Sequence, residues 1–158
     1  MEKLKQTKLI LLLSYISLAS VAAAVITPAL PTIQQAFHLS NDSLEWVISI
    51  FLVSYALGQL IYGPLANILG RIQALKIGIG IYIIGIIICL FYSYQMNYSG
   101  ILVGRFITGL GSASGLACTF ILLNETLPKK QAKKAFSYTL ISFTLGIGIA
   151  VAIGGIVT

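Results

Sequence analysis

The chain has 158 residues, 58% of them hydrophobic and only 9% charged, with a net charge of +6 and a mean hydropathy of +0.96. A soluble domain carries roughly 25% charged residues, so a water-facing surface is excluded, whereas a lipid-facing one is not. Nucleic-acid binding is excluded as well, because the basic residues are dispersed over separate loops and form no single patch.

Five apolar stretches, at about 9–33, 44–66, 75–94, 99–123 and 135–157, are each of bilayer length. The first follows Lys3, Lys5 and Lys8. It continues past the length of a signal-peptide core, and no cleavage site in it precedes a soluble domain, so it reads as a first membrane span. Pro28 and Pro31 near its end lack N–H groups, which predicts a kink and frees the carbonyls of Ala24 and Thr27. The connection 34–43 holds His38 and Asp42 but no lysine or arginine. His38 reads as a solvated loop residue, with pH sensing as the alternative. Asp42 with Glu45 marks a helix start, and Trp46 suits the membrane interface.

The second stretch runs into Gly63-Pro64-Leu65-Ala66-Asn67-Ile68-Leu69-Gly70-Arg71, where glycine and proline predict a tight turn. Lys76 opens the third stretch, and Tyr92, Tyr94 and Tyr98 cluster at the next turn. The fourth carries a narrow small-residue stripe, Gly100, Gly104, Thr108, Gly111, Ser112 and Gly115, together with a charge, Arg105. The following loop holds Lys129, Lys130, Lys133 and Lys134. In the fifth, Gly146, Ala150 and Gly154 recur every four residues. Such stripes let helices approach closely in lipid; static packing and a sliding contact both fit them.

The runs lack the alternation of membrane strands, and helices satisfy their own backbone in lipid. The expected fold is therefore an all-α membrane protein, a single transmembrane domain over 1–158 with five helices. All loop and terminal lysines and arginines fall on one side, which predicts a cytoplasmic N-terminus and a multi-pass protein of the cell's inner (plasma) membrane.

Arg105 lies about 9 Å from the end of its stretch. A central arginine costs roughly 2.5–3.5 kcal/mol to insert. It either snorkels to the surface or faces the bundle interior. In the second case, its five donors meet the carbonyls of Ala24 and Thr27, since spans 1 and 4 are antiparallel. Arg105 would then pin the broken end of span 1 and line a polar cavity with Ser17, Ser20 and Thr108. Cys89 and Cys118 read as packing residues without C-x-x-C spacing. With one histidine and scattered acids, no catalytic set, metal site or cofactor site is legible, and no enzyme is expected.

Together these motifs resemble the N-terminal half of a major facilitator superfamily transporter, nearest to the bicyclomycin/chloramphenicol-resistance type of drug:proton antiporter. Pro28–Ile33 (PALPTI) resembles the first-helix signature, and Ser54–Arg71 the second helix with its signature loop. Leu102–Gly115 (LVGRFITGLGSASG) resembles the fourth-helix motif built around an arginine, and Gly146–Gly155 (GIGIAVAIGG) the glycine-rich fifth helix. The resemblance implies alternating access around a central site. It places Arg105 in proton coupling, Gly63, Asn67, Gly70 and Arg71 in an inner gate loop, and Gly146, Ala150 and Gly154 in a flexing helix contact.

The chain departs from that pattern at Asn67, where the loop usually has an acid, and at Ile68, where it usually has a base. Ala24 stands where many relatives carry an acidic residue, and the fifth helix lacks its frequent proline. Five spans also fall short of a six-helix half. The expectation is the N-terminal portion of an efflux carrier for a small organic compound, with protons as coupling ion and the missing half or a partner chain completing it. The alternative is a remnant or membrane assembly partner without transport of its own.

Overall fold

The computed structural model describes residues 20–24, 26–126 and 128–157. Residues 20–24 are helical and 26–29 form a turn. Five helices follow: α1 (Leu30–Phe37), α2 (Asn41–Leu69), α3 (Arg71–Tyr94), α4 (Tyr98–Thr126) and α5 (Lys129–Val157). Four of them, α2 to α5, are long and apolar enough to cross a membrane. They match the second to fifth expected spans, each extended by a turn or so at one or both ends.

The first expected span lies largely outside the described residues, and its described end differs from a single helix over 9–33. The chain turns at 26–29, and α1 then starts afresh at Leu30 with Pro31 in its first turn. Proline fixes φ and needs no donor there, so it suits a helix start better than a helix interior. α1 ends at His38, whose φ of 51° is left-handed. At the head of α2 the capping oxygen belongs to Ser40, which accepts from the Ser43 amide at 3.3 Å. Asp42 stands in the first turn beyond it, where a carboxylate favours the helix dipole.

The expected turn from Gly63 to Arg71 is also corrected. α2 runs through Gly63 and Pro64 to Leu69, and Gly70 alone joins it to α3. Pro64 sits within the last two turns, where its missing N–H costs one ladder bond to the Leu60 carbonyl. The reversal falls instead on Gly70, whose φ of +88° favours a residue without Cβ. At the other end of the bundle, Gln95–Asn97 join α3 to α4, and the Asn97 Oδ1 accepts from the Gly100 amide at 3.0 Å, the capping arrangement of a helix N-terminus.

α4 is the central helix. In its most apolar window 56% of residues are buried, against 22%, 17% and 22% in α2, α3 and α5. Small residues create that position. Along α3, Gly78, Tyr82, Gly85, Cys89 and Tyr92 meet Ser114, Gly111, Thr108, Gly104 and Gly100 of the antiparallel α4. On the α2 side, a Cβ on Gly58 would stand 2.6 Å from the Ala113 Cβ and 2.9 Å from the Leu110 oxygen. Backbones this close gain van der Waals contact, which lipid cannot otherwise drive. Large apolar side chains such as Leu60, Ile87 and Leu140 face outward, as a hydrocarbon solvent permits.

Candidate functional site

Arg105 is only 5% exposed, so it does not snorkel. Its Nε donates to the Val47 carbonyl at 3.3 Å and one terminal nitrogen, Nη1, donates to the Ala22 carbonyl at 3.1 Å. The guanidinium carbon lies 4.4 Å from the centre of the Phe51 ring, within cation–π range. The other terminal nitrogen, Nη2, is buried and has no hydrogen-bond partner among the described residues. The side chain thus ties together three segments: the end of helix 20–24, the first turns of α2, and α4.

The local sequence explains this geometry. Val47 and Phe51 are one turn apart on the inward face of α2, both essentially buried, so carbonyl and ring meet the same side chain. A helical carbonyl keeps a second lone pair for such a donor. Ala22 belongs to the last turn of its helical segment, where carbonyls run out of helical donors. The acceptor is therefore Ala22, not Ala24 or Thr27. The Thr27 amide donates to the Ala24 carbonyl at 3.0 Å, and the Leu30 amide donates to the Thr27 carbonyl at 3.3 Å. The proline break makes a turn that consumes the carbonyls it was expected to release.

Ser20 is fully buried in the same helical segment as Ala22, and Ser17 lies outside the described residues. Thr108 is buried but turned toward α3. Its hydroxyl lies where a Gly85 Cβ would stand 2.5 Å away, and it donates to the Gly104 carbonyl at 2.6 Å. Thr108 therefore packs the α3–α4 contact and does not line a cavity beside Arg105. A depression of ≈ 260 Å³ lies instead on the exposed face of α2, lined by Asp42, Glu45, Trp46 and Ser49. Among the described residues the carboxylates are Asp42, Glu45 and Glu125, all at helix ends. Within the described spans Arg105 is held by carbonyls and a ring, not by a counter-charge.

At the α2–α3 end, Arg71 opens α3 and forms an ion pair with Glu125 in the last turn of α4. Gly63 and Asn67 lie on the last turns of α2, Asn67 exposed. Gly70 is the hinge residue, so the four residues expected in one loop form a helix end plus a one-residue joint. Glu125 was missed in the sequence, where it reads as one scattered acid. Antiparallel α3 and α4 place their α2–α3-end termini side by side, and that was the available signal. Phe51 and Val47 carried none. In α5, Gly146, Ala150 and Gly154 are buried.

Residues 12–158 match the model of the Major Facilitator Superfamily. The chain belongs to the major facilitator superfamily. It is 30% identical over 116 residues to the multidrug transporter TPO3 of Candida glabrata, covering 73% of this chain and 18% of that protein. It is 24% identical over 136 residues to polyamine transporter 3 of Saccharomyces cerevisiae, covering 86% and 21%. It is 26% identical over 142 residues to the uncharacterized MFS-type transporter EfpA of Mycobacterium tuberculosis, covering 89% and 26%. The chain spans between 18% and 26% of the length of these three relatives. This facilitator chain is thus a multi-pass membrane protein of a transporter family.

Proposed function

We propose that this chain is the N-terminal portion of a secondary-active carrier that exports a small organic compound in exchange for protons, by alternating access, in the manner of the bicyclomycin/chloramphenicol-type antiporters. In this reading residues 1–158 form one transmembrane domain. Five spans cross the plasma membrane with the N-terminus in the cytoplasm, and the remainder of the cavity comes from a further half or a partner chain. Relatives named as multidrug and polyamine transporters support an organic substrate.

The observation that carries the reading is the buried Arg105, bonded to backbone of two other segments. A buried charge held by carbonyls is mobile between acceptors in a way that a packed apolar side chain is not. Movement of helix 20–24 against α2 exchanges those acceptors and so couples the guanidinium to the conformational cycle. Arg71, Glu125 and Gly70 form the corresponding element at the cytoplasmic end. Their ion pair closes one face, and the one-residue joint transmits tilting of α2 to α3. The buried stripe of Gly146, Ala150 and Gly154 gives α5 a smooth surface on which to move.

The test is substrate-induced collapse of a preset pH gradient in inverted membrane vesicles containing the intact protein, read with a pH-sensitive dye. A panel of cationic and neutral drugs plus spermidine is added in turn. At least one compound dissipates the gradient, and Arg105→Gln abolishes the response while the protein remains in the membrane. No response to any compound, with transport also absent under a reversed gradient, would instead support the reading of an assembly partner without transport.

A further inference from the structure

α5 begins with an unusual charge arrangement. Lys129, Lys130, Lys133 and Lys134 occupy its first two turns, with no acidic residue in the first. At 3.6 residues per turn, these four positions fall within an arc of about 140° on one side of the helix. Ala132, Ala135 and Thr139, buried at 3%, 3% and 0% exposure, mark the opposite side. Lys133 and Lys134 are exposed. Lys133 and Lys134 therefore lie on the face turned away from the bundle.

Nothing in the helix offsets this charge. The N-terminal end of a helix is itself the positive end of its dipole. Glu125, the acid nearest in sequence, is engaged by Arg71. The same side of the helix continues upward with Tyr138 at 48% exposure, then Leu140 62%, Ile141 53% and Leu145 59%; the exposed Ser137 and Thr144 between them turn their hydroxyls back onto the helix, donating to the Lys133 and Leu140 carbonyls at 3.4 and 3.0 Å. From Lys133 to Ile141 the rise is about 12 Å. A strip that is cationic at the membrane boundary, aromatic one turn deeper and aliphatic beyond matches one kind of molecule, with an anionic head directly joined to hydrocarbon chains.

We propose that the lysine face of α5 is a binding site for anionic phospholipid, with Lys133 and Lys134 on the headgroup phosphate, Tyr138 at the interfacial level, and Leu140, Ile141 and Leu145 along the acyl chain. Each lysine near an anionic surface contributes about 1 kcal/mol, or roughly a fivefold gain in occupancy. This goes beyond orientation by positive charge, because it requires selection of one lipid class at one helix.

The intact protein is reconstituted in nanodiscs of phosphatidylcholine with a minority of phosphatidylglycerol, both carrying a photo-crosslinking group on the acyl chain, and crosslinks to the α5 peptide are counted by mass spectrometry. Phosphatidylglycerol is enriched on residues 138–145 by at least about tenfold over its bulk share. The enrichment falls below about twofold in K129Q/K130Q/K133Q/K134Q and persists in the corresponding four-arginine variant. Should the glutamine variant fail to insert, K133Q/K134Q is used, with an intermediate loss expected. In the wild-type protein, raising salt to about 1 M removes most of the enrichment, since the Debye length falls to about 3 Å. Equal enrichment in the glutamine and wild-type proteins, or no preference between the two lipids in the wild type, would overturn the proposal.

Discussion

Arg105→Lys keeps the charge and removes the fork. In the wild-type protein two different nitrogens serve two carbonyls, Val47 at 3.3 Å and Ala22 at 3.1 Å. A single ammonium on a flexible stem does not hold both in one geometry. One charged hydrogen bond is lost, worth about 1.5–3 kcal/mol, so the tie between helix 20–24 and α2 weakens by about tenfold to about 150-fold. Hydrogen exchange of the intact protein in detergent reads this directly, as reduced protection of the amides of residues 20–24 and of the first turns of α2. Arg105→Met separates the tie from the charge. It also loses both bonds, and protection falls at least as far. Yet it removes the cost of an intramembrane cation, roughly 2.5–3.5 kcal/mol on insertion scales, so global thermal stability falls by less than protection does, or rises. Unchanged protection in both variants would refute the role of Arg105 as a tie between segments.

Further outcomes follow from the packing and the end contacts. In Gly111→Ala the new Cβ stands 2.6 Å from the Tyr82 Cα and 2.8 Å from the Gly78 oxygen; backbone cannot yield, and detergent stability falls by about 1–3 kcal/mol. Gly148→Ala, with nothing within 4 Å among the described residues, leaves melting within a few degrees of wild type. Glu125→Gln breaks the pair with Arg71, whose side chains are 29% and 46% exposed. Screening limits the stability change to at most about 1 kcal/mol, and the charge swap R71E/E125R restores any lost transport. For topology, a cysteine placed at Lys133 resists a membrane-impermeant maleimide in intact cells and reacts after lysis, whereas one placed at Asn97 reacts in both.

The sequence by itself determined the class of this protein. Apolar length forces helices, because lipid offers the backbone no other partner, and α2 to α5 appear where hydropathy put them. The small stripe of α4 was equally legible, since glycine and serine every three or four residues permit close backbone approach. Burial of Arg105 was one of two open readings, and the structure decided it, because depth in a helix does not fix which way a side chain faces. Acceptor identity depended on tertiary placement. Proline breaks at Pro28 and Pro31 appeared to release the carbonyls of Ala24 and Thr27, but local turn amides take them, and Ala22 is left for Arg105. Gly63-Pro64 read as a turn, yet packing carried α2 through it and left the reversal to Gly70. Arg71 and Glu125 are 54 residues apart, and only the antiparallel pairing of α3 with α4 brings them together. Local sequence sets which backbone groups and charges exist; which of them meet is set by the register of helices that sequence periodicity does not encode.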